Sequence, residues 1–195
     1  YDNASGHTGD NVQVTGSRFR APSIAVTNAG QDGIRIGATG ATGTGTSTVN
    51  ANLWKIGALI ALGNGRHGAY INDTNTGGSV TWPNGAPDCN AGSIQTAECD
   101  RNGGDGIAFG NTIDNYVGLV VAQSNTGYGV SFRSYARNNV ISKCYTESNG
   151  SGDGLADALA SQNMILAASR AASLSSGWDN TGSGGNLIIS HTSNI

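Results

Sequence analysis

Glutamate occurs only twice in this chain, at Glu98 and Glu147, and both stand in a spaced set of polar residues. Asp100, Gln123 and Glu147 follow one another at intervals of 23 and 24 residues. Glu98 precedes Asp100 by two positions, and Tyr145 precedes Glu147 by two. Hydrolysis of a glycosidic bond calls for two carboxyl groups, about 5–5.5 Å apart for retention or about 6.5–9.5 Å for inversion. If units of this length stack as strands about 4.8 Å apart, Asp100 and Glu147 lie roughly 9–10 Å from each other. That is the upper edge of the inverting range. Tyr145 beside the acids offers an aromatic platform for a sugar. The candidate catalytic residues are therefore Asp100, Glu147 and Glu98, and the candidate substrate-binding residues are Gln123, Tyr145 and Trp82. A plainer role competes with this one, because an outward-facing strand column must be polar anyway and acids there keep a surface soluble.

A second column stands immediately before a recurring glycine: Asp32, His67, Asp105, Tyr128 and Asp153. Asp-Gly is an ordinary way to turn a corner, so a turn-forming role is favoured here. His67 is the exception, since a turn does not require imidazole. Repeated Asp-x-Gly raises calcium, but the nonapeptide spacing is missing. No zinc spacing occurs either, so neither metal nor cofactor is expected.

These positions carry chemistry only if like residues stack, and the spacing of the rest of the chain implies that they do. A glycine followed by alternating apolar residues recurs at Gly33-Ile34-Arg35-Ile36, Gly106-Ile107-Ala108-Phe109 and Gly129-Val130-Ser131-Phe132, with looser echoes at Gly68, Gly154 and Gly177. Asn115, Asn139, Asn163 and Asn186 lie 24, 24 and 23 apart, and Asn102, Asn125 and Asn149 are spaced 23 and 24. Three columns in phase mark a repeat architecture. Period-two alternation, as in Ile34/Ile36 or Val117/Leu119 followed by Val120 and Ala122, marks short strands with one buried face. No leucine array supports a leucine-rich repeat. The expected fold is all-β, a right-handed single-stranded parallel β-helix of roughly eight coils. Its asparagine columns are read as structural ladders rather than sugar ligands. Glycine and asparagine are expected to supply the left-handed backbone at corners.

Two units run long. The step from Ile36 to Ile56 is 20 residues and that from Ile71 to Ile94 is 23, against 8 from Phe109 to Val117. Both insertions fall at one corner of successive coils, where solenoids usually place a binding face. The first, from Gly37 to about Asn52, is low in complexity; the second, Asn72 to Ser93, carries Trp82-Pro83-Asn84-Gly85 and Cys89. In the final third, Asp157 is expected where Phe109 and Phe132 stand, Asn180 in the same place one coil later, and Ser173 in place of a ladder asparagine. Segment 155–175 has fair helix propensity, but Asn163-Met164-Ile165-Leu166 stays in phase and reads as coil. The chain begins at Tyr1 and stops partway through a unit. Since solenoids need caps, a single domain spanning 1–195 that is a piece of a longer chain is expected.

Composition narrows the partners. Net charge is −3, with 10 basic and 13 acidic residues, and no basic patch favours nucleic acid. No apolar stretch approaches a membrane span, so no membrane insertion is expected, and no secretion signal is visible. Of three cysteines, Cys99 and Cys144 fall at inward strand positions while Cys89 falls in a loop; no disulfide framework is implied.

Asn139-Val140-Ile141-Ser142-Lys143-Cys144, running through Ser148-Asn149-Gly150 to Asp153-Gly154-Leu155, resembles a rung of the right-handed parallel β-helix superfamily of pectate lyases, polygalacturonases and phage tailspikes. Asn102-Gly103-Gly104-Asp105-Gly106-Ile107 does the same. The Asn/Ser/Gly-rich style with two lysines, Lys55 and Lys143, looks most like a bacteriophage tailspike or tail-fibre domain. The resemblance implies a homotrimer, on a virion or otherwise extracellular, that binds and often cleaves bacterial surface polysaccharide, capsule or O-antigen. The polygalacturonase Asn-Thr-Asp motif is absent, and Arg20-Ala21-Pro22 only echoes a lyase motif. No catalytic residue carries over. The alternatives are a non-enzymatic adhesin or stalk, and a secreted polysaccharide lyase or epimerase, for which Arg101 and Lys143 are the nearby bases.

Overall fold

A computed structural model describes residues 8–37, 51–72, 89–133, 135–158, 160–170, 178–180 and 185–192. Among these, all regular structure is β. Short strands β1 (Val12–Val14), β3 (Ile34–Ile36), β5 (Ala69–Ile71), β7 (Ile107–Phe109), β9 (Tyr128–Phe132), β11 (Gly152–Ala156) and β13 (Trp178–Asn180) form one parallel sheet in that order. Longer strands β2 (Arg20–Thr27), β4 (Lys55–Leu62), β6 (Ser93–Asp100), β8 (Tyr116–Gln123), β10 (Val140–Glu147), β12 (Met164–Arg170) and β14 (Leu187–Thr192) form the other, also parallel. The chain thus alternates between two seven-stranded sheets, and each strand pairs with its equivalent one unit on. Parallel bridges from Asn90 to Ile113, Arg137 and Ser161 add a third short stack. The arrangement is compatible with a β-helix-like solenoid.

Apolar residues stack in files because like positions meet. Ile36, Ile71, Phe109 and Phe132 pair in sequence, as do Ile56, Ile94, Val117, Ile141 and Ile165, and all are buried. The Phe109 and Phe132 rings lie 5.2 Å apart, close to the strand spacing itself. Segment 164–170 is strand, because burying Ile165 in the file outweighs local helix propensity.

Along the long strands alternation breaks once. Val117 and Val120 are both buried, while Leu119, which alternation would turn inward, is only half-buried. Strand pairing skips that position, joining Ile94 to Val117 and Thr96 to Leu119, and Gly118 sits so close to the Gln95 carbonyl that a Cβ would collide with it. Gly92 is similarly confined under the fully buried Trp54 ring, where any side chain would overpack the core.

The asparagine ladders are present and longer than expected. Asn102 donates through Nδ2 to Asn125 Oδ1 (2.9 Å), and Asn125 donates likewise to Asn149 (2.9 Å). Asn64 adds a rung by donating to Asn102 (2.9 Å). In the second file Asn115, Asn139, Asn163 and Asn186 connect at 3.0, 2.9 and 3.0 Å. Each acceptor oxygen also takes the backbone N–H of the preceding rung, as Asn125 does for Asn102 (3.0 Å). The left-handed backbone falls one residue before the asparagine, and mostly not on glycine: Arg101, Ser124 and Ser148 have φ of 55°, 56° and 54°. Each such residue costs roughly 1–2 kcal/mol, which the ladder bonds of its neighbour offset.

Several expected positions shift. Ala156, rather than Asp157, pairs with Phe132, and Gly152 pairs with Tyr128, which moves Asp153 one place out of its column. The step between those units is 24 residues, as from Phe132 to Ala156, one fewer than the 25 between Gly129 and Gly154; Gly154 stands in the place of Val130, and Gly152, at φ 138°, takes that of Tyr128. Asn180 does pair with Ala156 in the phenylalanine file. Cys89 lies outside the strands as expected, yet is fully buried, with Sγ 3.5 Å from the Ile36 carbonyl. Cys99 and Cys144 point inward as expected, and burial pushes both thiols up. Both insertions leave after paired Ile36 and Ile71 and re-enter at paired Lys55 and Ser93, so they do share a corner. Most of their length, with Trp82, lies outside the described residues, as does Ser173.

Candidate functional site

Strands β6, β8 and β10 bring the sequence-selected acids together. Gln123 pairs with Glu147, and Glu98, Val121 and Tyr145 form one file across the three strands. Asp100 joins through hydrogen bonds: its Oδ1 accepts the Gln123 backbone N–H at 2.9 Å, and Arg101 N–H donates to the Gln123 carbonyl at 2.9 Å. Gln123 Nε2 then donates to Glu147 Oε2 at 2.6 Å, which also accepts from the Tyr145 hydroxyl at 3.0 Å. The five residues therefore share one surface, with Gln123 between the two acids. Trp82 lies outside the described residues.

Their exposure is uneven. Glu98 is exposed, Gln123, Tyr145 and Glu147 are half-buried, but Asp100 is only 9% exposed. The expectation that the whole column points freely to solvent fails at Asp100, which ends its strand and is drawn against the next one by the Gln123 amide. Burial pushes the Asp100 carboxyl above its ordinary range, the Gln123 N–H pulls it down, and neighbouring Glu98 pushes it up again. Hydrogen bonding to Glu147, followed by desolvation, raises the Tyr145 phenol. Two acids in unlike surroundings are a pattern suited to acid–base division of labour.

The other column has a more specific role than turning corners. Asp10 Oδ1 accepts the Asp32 N–H (3.0 Å), Asp32 Oδ1 that of His67 (3.2 Å), His67 Nδ1 that of Asp105 (3.0 Å), and Asp105 Oδ1 that of Tyr128 (2.9 Å). A side-chain acceptor on each unit thus holds the backbone of the next, and the imidazole substitutes for a carboxylate. Accepting through Nδ1 fixes His67 as neutral, with its proton on Nε2. Desolvation by burial, outweighing the attraction of Asp105 and Asp32, keeps it below the ordinary histidine value. Asp153 serves otherwise, accepting from Thr146 Oγ1 at 2.9 Å.

Arginines clamp this ladder from outside. Arg66 grips Asp32 with Nε (2.8 Å) and Nη2. Arg133 directs Nε (2.9 Å) and Nη2 (2.6 Å) to Asp105 Oδ2, where Ser131 also donates at 2.6 Å. The guanidinium carbons of Arg35 and Arg66 stand 5.3 and 5.4 Å from the Tyr70 ring centroid, and the His67 ring lies 5.1 Å from it. Sequence reading named Asp32, His67 and Asp105 but missed Asp10, Arg35, Arg66, Tyr70 and Arg133. Arg66 beside His67 was the one available signal.

Among the described residues no group of three or more His, Cys, Asp or Glu is arranged to hold a metal ion, and no helix is long and apolar enough to cross a membrane. Compared with protein-family models, curated proteins and solved structures, the chain matches none. What stands is the class: an all-β chain of two parallel sheets whose equivalent strands stack.

Proposed function

We propose that the chain is a right-handed parallel β-helix with two corner insertions, akin to a phage tailspike domain, that binds bacterial surface polysaccharide and cleaves it by inverting hydrolysis. The observation that carries this reading is the hydrogen-bonded group Asp100–Gln123–Glu147–Tyr145 on one face. Asp100, its carboxyl raised by burial, is the general acid that protonates the glycosidic oxygen. Glu147 takes a proton from the water that attacks the anomeric carbon on the opposite face of the sugar. Gln123 and Tyr145 orient the chain, and Glu98 adds a nearby carboxylate. The homotrimeric, extracellular or virion-borne state belongs to the same proposal.

One observation favours a second reading. Both acids already serve the fold, Asp100 by holding the Gln123 N–H and Glu147 by accepting from Gln123 and Tyr145. That suits a non-enzymatic stalk or adhesin. Incubation with capsular and O-antigen polysaccharides, with reducing ends measured, separates the two. Hydrolysis lost at least about a hundredfold in Glu147→Gln and in Asp100→Asn supports the assignment. Cleavage indifferent to both changes removes it, and binding without cleavage selects the adhesin. Products that absorb as unsaturated sugars identify a lyase.

A further inference from the structure

We propose that the Arg66–Tyr70–Arg133 cluster is a subsite for the carboxylate of an acidic sugar, so that the polysaccharide engaged by this chain is uronate-bearing. This rests on the reading of the chain as a polysaccharide binder, but not on hydrolysis at Asp100 and Glu147.

The cluster is layered by charge. Asp32 and Asp105 are 0% and 1% exposed, and the Asp10 side chain is 4% exposed. The Arg66 and Arg133 side chains above them are each 38% exposed. Three arginines against three aspartates make the group neutral by count, with His67 uncharged. Yet the acceptors lie beneath and the donors outside, so an arriving ligand meets cations first. Arg66 and Arg133 each commit Nε and Nη2 to a carboxylate; among the described residues, Nη1 of neither has a protein acceptor. Each guanidinium is held in place by its buried acid and keeps an edge for a second anion. Such planar, preorganised forks recognise carboxylates better than a lysine does. The half-buried Tyr70, flanked by Arg35, Arg66 and His67, stiffens the group and contributes its phenol to a sugar hydroxyl.

Position links the cluster to the first site. Asp100 closes β6 and Asp105 opens the approach to β7, with only the ladder corner of Asn102 between them. In this proposal one oligosaccharide laps that corner and engages both groups. The chain as a whole is negative, so attraction of a polyanion acts at contact rather than at long range.

The test is calorimetric titration of the full chain with oligogalacturonate, oligomannuronate and a glucuronate-containing oligosaccharide, each beside its carboxyl-reduced counterpart. At least one uronate should bind roughly tenfold or more tightly than its reduced form. That preference should vanish in Asp32→Asn/Arg66→Gln and in Asp105→Asn/Arg133→Gln. In these paired changes the asparagine oxygen still accepts the backbone N–H and no buried charge is stranded. Inorganic phosphate should compete only weakly; competition as strong as the oligosaccharide's own binding would mark an adventitious ion site and overturn the proposal. Equal binding of every uronate and its reduced form also overturns it, and this comparison needs no variant to fold. A neutral polysaccharide bound without acid preference leaves the proposed function standing and removes this subsite, whereas no polysaccharide binding at all removes both.

Discussion

His67 occupies a position that otherwise holds aspartate, and its acceptor role makes it the residue through which acid should act on the fold. Burial holds its pKa below the ordinary 6.5, so the unfolded chain takes up a proton before the folded one does. Stability contributed by neutral His67 is therefore present above about pH 6.5 and is lost as pH falls through the lower folded value. Protonation would place a hydrogen on Nδ1, opposite the Asp105 N–H that it now accepts. Asp100 acts in the opposite sense: its raised carboxyl gains a proton more readily when folded, which favours the fold as pH falls. Thermal melts from about pH 8 to about pH 5 should show a decline in wild type that His67→Asn flattens, because asparagine accepts the same N–H without titrating. An unchanged slope in His67→Asn would remove the imidazole from this role.

At the scale of the element, the asparagine files join one strand-turn-strand unit to the next. Asn125 Oδ1 satisfies both the backbone N–H and the side-chain amide of Asn102, and its own Nδ2 reaches the Cys99 carbonyl at 2.8 Å. Asn125→Ala would strand buried donors in the middle of the file, at a cost of about 2–4 kcal/mol. Asn186→Ala should cost less, since that residue is half-buried and its water-exposed neighbours can be solvated. Urea denaturation of the two variants compares them directly, and equal losses would contradict a ladder whose strength depends on burial. The left-handed residues Arg101, Ser124 and Ser148 belong to the same device, since their strain turns the chain so that the next asparagine faces inward.

Over the molecule, contacts run almost entirely between neighbouring units, strand to equivalent strand. Such a chain is close to one-dimensional, and its stability is a sum of units and their interfaces. Large apolar side chains are exposed along the long-strand sheet: Ile60 on β4, Tyr116 on β8, Leu166 on β12, and Leu187 and Ile189 on β14 are each 39–46% exposed. Large side chains on an outward sheet face suit burial against another copy, in keeping with the homotrimer of the proposed function. Sedimentation equilibrium at micromolar concentration should give three times the 19.7 kDa chain mass. A monomer at that concentration would count against self-association through this face.

Much of this architecture can be read from spacing alone, because strands that pair with their own equivalents turn sequence interval into spatial adjacency. The files of Asn102 and Asn115, the inward Cys99 and Cys144, the common corner of both insertions and the alignment of Glu98 with Tyr145 all follow from counting. Counting failed where a glycine served as the marker: Gly154 stands in the place of Val130 rather than of Gly129, so Asp153 falls one place out of its column. It also failed where a side chain reaches across units. Arg66 and Arg133 find Asp32 and Asp105 through long, rotatable arms whose end points no periodicity encodes. The near-burial of Asp100 and the acceptor role of His67 likewise depend on which backbone N–H comes within hydrogen-bonding distance. Periodicity sets the path of the backbone; the partners and solvation of each polar group are settled when separate units close upon one another.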